Sequence, residues 1–153
     1  LVGPDFVRGV CYSPFLEWRG RTPVIRPGFI PVIKYPEPEA PDGPPPRGVW
    51  HIDGGESIRA WPTVNLLAAM AYLSDTPAHG GATVVWPGSH RQVFARWRAN
   101  GDAGAPSPPV DLPYAEPVRV QARAGDVLFM HYLLVHAGSP NRAERLRIGM
   151  NTA

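Results

Sequence analysis

The segment "GVWHIDGGES" (residues 48–57) places a histidine and an aspartate, His51 and Asp53, two positions apart beside a run of glycines. Alternate side chains of a β-strand leave the same face, so an HxD pair on a strand aims an imidazole and a carboxylate into one space. Both groups ligate first-row divalent metals, but two ligands need a third. The competing reading makes Asp53 a turn residue that caps the glycines after it.

The remaining histidines are the candidates for that third position. His79 lies in a glycine-flanked loop and reads as a solvated residue. His90 closes "PGSH" and reads as part of a turn. His131 and His136 share one apolar run, "VLFMHYLLVHAG". Their separation of five is odd, so in a regular strand they face opposite ways, and only one reaches a common pocket unless a bulge intervenes. A histidine in such a run is by default a core residue with a satisfied hydrogen bond. Two imidazoles and one carboxylate with coordination positions left open form the facial set suited to non-haem Fe(II). An HxD alone is common by chance. Joined to a distant strand histidine that is soon followed by a basic residue, it is far more specific.

The elements around these residues are β-type. "GFIPVIKY" (28–35) reads as a strand interrupted by Pro31, which suits an edge or a bulge. The proline-rich "PEPEAPDGPPPRG" that follows is a loop of polyproline character, not a helix, and it delivers the chain to His51. "TVNLLAAMAYLSD" (63–75) fits either a helix or a buried strand. "GGATVVWPGSH" (80–90) is a β-branched run closed by a Pro-Gly turn, and "RQVFARWRANG" (91–101) suits a short helix closed by Gly101. "GDAGAPSPPVDLP" is a second loop. From Val118 onward "VRVQA", the "GD" turn, the long apolar run and "LRIGMN" give the strongest β signal. The sum is an all-β sandwich or barrel of short strands with little helix.

Composition agrees. At 153 residues the chain is one domain in size, and twenty prolines with sixteen glycines disfavour a helical bundle. The net charge is only +2, Lys34 is the only lysine, and the arginines are scattered, with Arg91, Arg96 and Arg98 the nearest thing to a patch. A nucleic-acid surface shows a denser stripe, so no nucleic-acid partner is expected. No apolar run approaches the roughly eighteen residues that span a bilayer, and no basic-then-apolar leader opens the chain, so no membrane partner is expected either. The lone Cys11 excludes an intrachain disulfide framework and fits a reducing, cytoplasmic compartment. A start at Leu1 and an end just after a strand suggest a fragment, cut at the front.

Four blocks, "WHIDGG", "YLSDTPAHGGATVVWPGSHR", "GDVLFMHYLLVHAGSPN" and "RLRIGMN", run in order from Trp50 to Asn151 over about two-thirds of the chain. In them the chain resembles the phytanoyl-CoA dioxygenase family of Fe(II)- and 2-oxoglutarate-dependent oxygenases. The resemblance implies a double-stranded β-helix (a cupin-like jelly roll) over residues 1–153, with 63–75 as a core strand. It makes His51, Asp53 and His136 the metal ligands and gives His131 the non-ligating place upstream. It makes Arg147, eleven residues after His136, the partner of the far carboxylate of 2-oxoglutarate. An arginine fork suits that role, because it recognises a carboxylate through two parallel hydrogen bonds. Arg145 has the parity of Arg147 and is the fallback, while Arg142 lies in the turn and reads as solvated.

The implied activity is hydroxylation of a small organic substrate with dioxygen, releasing succinate and carbon dioxide. Relatives that transfer halogen carry a small residue at the Asp53 place, so Asp53 points to an oxygen-based outcome. The family has more helix and strand before the HxD than Leu1 to Trp50 supplies. Two rivals stand beside this reading: a non-catalytic ligand-binding barrel, and a cupin-type metalloenzyme that needs no 2-oxoglutarate.

Overall fold

The computed structural model describes residues 30–53, 67–100 and 112–152. Gly28, Phe29, Gly54 onward in the glycine run, residues 63–66, the Gly101 cap, most of the second loop and Cys11 lie outside them. The elements are β1 (Ile30–Lys34), a 3-10 turn (Arg47–Val49), β2 (Leu67–Tyr72), β3 (Thr83–Val85), α1 (Ser89–Ala99), β4 (Val118–Val120), β5 (Val127–His131), β6 (His136–Gly138) and β7 (Arg147–Thr152). The strands form a four-stranded sheet ordered β1-β7-β2-β5 and a three-stranded sheet ordered β4-β3-β6, with every strand pairing antiparallel. Two facing sheets with one α-helix among the described residues make this the double-stranded β-helix, or jelly roll. No described helix is long and apolar enough to cross a membrane.

The pleat decides which residues meet between the sheets. In β2 the buried residues are Ala68, Met70 and Tyr72, every second one, and Met130 of β5 joins their cluster. Val32, Val85 and Leu128 pack against it, and Tyr72 Oη donates to Thr83 Oγ1 of the other sheet at 3.3 Å. Pro31 is tolerated because β1 is an edge strand, where a missing N–H costs no central ladder bond.

A second core lies on the outer face of the small sheet. Gly88 (φ 78°) turns the chain into α1, whose buried residues Ser89, Val93 and Trp97 recur at intervals of four and so form one stripe. Val93 and Trp97 pack with Val84 and Ala137, the residues that alternate away from the sheet-to-sheet interior. Each such side chain stabilises the fold by roughly 2–3 kcal/mol through removal from water. His90, expected in a turn, is in the first turn of this helix instead, because α1 begins directly after Gly88.

Two further expectations are corrected. The proline-rich loop ends in a 3-10 turn rather than continuing as an open coil. It is also tied down: Asp42 accepts from Arg119 and pairs with Arg142, both at 3.1 Å, and Arg119 Nη2 donates to Gly43 O at 2.8 Å. Arg142 is therefore a tether rather than a purely solvated residue. The Arg119 hydrogen bond, followed by the charge of Arg142, holds the Asp42 carboxyl below its ordinary range.

Asn141 fastens the other side of this region. Its side chain is fully buried, donates to Lys34 O (3.0 Å) and Arg145 O (2.7 Å), and accepts from Ala143 N (3.1 Å). Asn141→Ala should cost about 2–4 kcal/mol, because buried backbone groups lose their partners. A denaturant midpoint shift at unchanged slope would register this loss.

Candidate metal centre

Residues 50 to 53 show strand alternation at its clearest. Trp50 and Ile52 are buried in the core beneath α1. Trp50 stacks on Trp86 at 3.9 Å with rings 7° from parallel, and its Nε1 donates to Pro45 O at 3.0 Å. With the even residues held in that core, His51 and Asp53 face the opposite way.

His51 then meets His136 directly. Their backbones exchange two hydrogen bonds, His51 N to His136 O and His136 N to His51 O, both 2.9 Å, as an isolated antiparallel bridge. Residues opposite one another in such a pair project to the same side, and the two ring centroids are 4.3 Å apart. Asp53 Oδ1 lies 3.6 Å from His136 Nε2. One ligand atom from each of His51, Asp53 and His136 falls within 4.8 Å of the others, the only such triplet of His, Cys, Asp or Glu among the described residues.

The proton positions suit a cation. His51 Nδ1 lies 3.0 Å from Val49 O, and His136 Nδ1 lies 2.9 Å from Leu134 O. A carbonyl only accepts, so each Nδ1 donates and each Nε2 keeps its lone pair for a metal. Burial pushes His136 below the ordinary histidine range, against the smaller upward pull of the Leu134 carbonyl and Asp53, which favours the neutral ligating form.

His131 has the reverse arrangement. Its Nδ1 accepts from Leu133 N at 3.1 Å, so a neutral His131 carries its proton on Nε2 and has no free lone pair. Desolvation, with nearby His90 a lesser cause, lowers its pKa and keeps it neutral. The parity argument for His131 and His136 does not apply as expected, because the run is not one strand. It ends as β5 at His131, turns through 132–135, and resumes as β6 in the other sheet. His79 is exposed in its loop, and His90 lies 5.0 Å from the His131 ring.

Arg147 opens β7 and is 3% exposed. Its guanidinium lies over the Tyr72 ring, 5.1 Å from the centroid, and its Nε has no hydrogen-bond partner. A Cβ at Gly149 would crowd Ala71 O at 3.1 Å and Met70 Sδ at 3.2 Å, and would touch Arg147 Cζ at 3.5 Å. Among the described residues no carboxylate pairs with it, and a buried unpaired charge is costly. A cavity of about 550 Å³ is lined by Arg147 with Asp75, His79, Asn141, Glu144 and Arg145 among others. His51, Asp53 and His136 do not line it, although register puts Arg147 and His136 on the facing inner surfaces of the two sheets. Arg145 is exposed and precedes the strand.

A family model described as phytanoyl-CoA dioxygenase (PhyH) matches residues 31–149. Among curated proteins, none matches. Three solved structures are similar. SnoK, a non-heme alpha ketoglutarate dependent carbocyclase from nogalamycin biosynthesis, is 22% identical, with a TM-score of 0.53 over 79% of this chain and 45% of that one. EvdO2 from Micromonospora carbonacea var. aurantiaca, solved alone and with 2-oxoglutarate, is 19% identical, with a TM-score of 0.57 over 97% of this chain and 58% of that one. ThoJ, a non-heme monooxygenase, is 20% identical, with a TM-score of 0.54 over 80% and 43%. At such identities the likeness is one of fold. The chain spans about half the length of these structures.

Proposed function

The chain belongs to the phytanoyl-CoA dioxygenase (PhyH) family, and on that premise we propose that it is an Fe(II)- and 2-oxoglutarate-dependent oxygenase. It hydroxylates a small organic molecule and releases succinate and carbon dioxide. The observation that carries this reading is the reciprocal His51–His136 pair, with both Nε2 lone pairs and the Asp53 carboxylate turned to one space. This donor set fits Fe(II), leaving coordination positions for a bidentate cosubstrate and dioxygen.

His51, Asp53 and His136 hold the ion. Arg147 holds the far carboxylate of 2-oxoglutarate, with Tyr72 as a wall against the guanidinium. The bound metal and cosubstrate supply the oxidising chemistry, by oxidative decarboxylation of the keto acid. The protein's own residues orient the cosubstrate, and burial of His136 favours its neutral, ligating form. The single cysteine, Cys11, supports a cytoplasmic location.

Succinate formation is the test. The full-length protein with Fe(II), dioxygen and a pool of candidate substrates should release succinate only when 2-oxoglutarate is present. Metal binding without succinate from any pool would favour a non-catalytic barrel. Turnover of a substrate without 2-oxoglutarate would favour a cupin-type enzyme.

A further inference from the structure

The inner face of β7 carries a second polar group beyond Arg147. Side chains alternate along the strand, so Arg147, Gly149 and Asn151 leave it on the same side. Register gives the direction: Asn151 is directly opposite Met70, which is buried between the sheets. Asn151 Oδ1 is itself buried and has no hydrogen-bond partner among the described residues. An amide oxygen only accepts, and a buried acceptor without a partner is costly. The place calls for a donor.

Two contacts between the sheets locate it relative to the metal ligands. Tyr72, opposite Gly149, reaches across to Thr83, opposite Gly138, with Oη to Oγ1 at 3.3 Å. One pleat repeat further along the small sheet is Val85, opposite His136. Val85 packs against the cluster of Ala68, Met70, Tyr72 and Met130. The matching step on the large sheet therefore runs into that cluster, from the Tyr72–Gly149 pair to the Met70–Asn151 pair. Asn151 thus shares the His136 end of the interior, two pleat repeats, or about 13 Å, from Arg147. The other residues turned inward around it, Val32, Met70, Leu128 and Met130, are apolar. Its opposite number on β1, Ile30, is 61% exposed, so this end of the interior meets solvent.

We propose that Asn151 Oδ1 is a specificity contact for the substrate, accepting from a hydroxyl or N–H group of an otherwise apolar molecule. This deepens the oxygenase reading and rests on it. The keto acid is held from the Arg147 end, which leaves the Asn151 end for the second reactant. Apolar walls cover the hydrocarbon body, and a single acceptor fixes how it is turned toward the metal. A molecule that presents only a lone pair there, such as an ether, leaves Oδ1 without a donor and is rejected.

The test uses the full-length protein loaded with Mn(II) and 2-oxoglutarate, a complex that forms without turnover. The probes are matched pairs, cyclohexanol and benzyl alcohol, each beside its methyl ether. Broadening of a probe's proton NMR signals by Mn(II) reports binding next to the metal. Wild type should bind each alcohol about 5- to 100-fold more tightly than its ether, the range expected for one buried acceptor. Asn151→Leu, similar in shape but without the acceptor, should bind alcohol and ether alike. Its affinity for 2-oxoglutarate, measured by calorimetry, should stay at the wild-type value. Asn151→Asp, which keeps an acceptor oxygen, should retain the preference for the alcohol. The proposal is overturned if wild type binds alcohol and ether equally or broadens neither, and a bound water is then the partner of Oδ1. A preference that survives in Asn151→Leu overturns it too. Loss of 2-oxoglutarate in that variant does the same, since Asn151 then serves the fold or the cosubstrate. If wild type itself does not bind 2-oxoglutarate, the oxygenase reading fails first and the assignment of Asn151 fails with it.

Discussion

Asp53→Ala protein should purify with little iron and lose hydroxylation by more than 100-fold, while melting close to the wild-type temperature in its metal-free form. The expected size follows from the donor count. Even outer-shell partners of a metal typically cost 10- to 100-fold when removed, and Asp53 is one of the three proposed protein ligands. Its contact with His136 at 3.6 Å is longer than a hydrogen bond and adds little to folding. The turn reading predicts the reverse pattern: iron and activity retained, with early melting because a cap is lost. Iron content and melting temperature, measured on one preparation, separate the two. Restoring the carboxylate one methylene further away, as Asp53→Glu, should recover some iron but little activity, because the oxygen is displaced from its facial position.

Arg147→Ala should weaken 2-oxoglutarate by 100-fold or more, with Arg147→Lys recovering only part of it. The carboxylate would be left in a site 3% exposed without its fork, and an ammonium cannot reproduce two parallel hydrogen bonds. Stability gives an independent reading. Arg147 is a buried charge without a carboxylate partner among the described residues, so an apolar replacement of similar length, Arg147→Met, should leave ligand-free stability unchanged or raise it. The rise in melting temperature on adding 2-oxoglutarate to the Mn(II) protein should then vanish, since that rise measures binding. If the variant instead melts early and keeps the ligand-induced rise, Arg147 is a packing residue.

The sequence was most legible where a period reached the surface of the argument as a spacing. HxD is a strand spacing, and the alternation of Trp50, His51, Ile52 and Asp53 between two cores is its physical content. Pro31 announced an edge, and the apolar positions of α1 at intervals of four announced a helix. The break between His131 and His136 was hidden because its turn, Tyr132 to Val135, contains no glycine, proline or polar residue. Turns usually need such residues to satisfy and bend the backbone. Here the bending is buried, and partners elsewhere in the chain satisfy it: Ser89 Oγ accepts from Val135 N, and Val135 O accepts from Trp86 N. Ser89 could have been found as a serine on the buried stripe of a helix.

The reciprocal His51–His136 bridge has a kinetic consequence. The chain segment bearing two of the three proposed ligands joins the small sheet through those two hydrogen bonds, with no strand ladder to either side of them among the described residues. Separating the pair necessarily carries an imidazole away from the ion, so the amide protons of His51 and His136 and the ion itself leave by one common excursion. Deuterium uptake at those amides and metal release should then share a rate. The grip on Trp50, from the Trp86 ring and the Pro45 carbonyl, would act as a brake on ion exchange from the far side of the sheet.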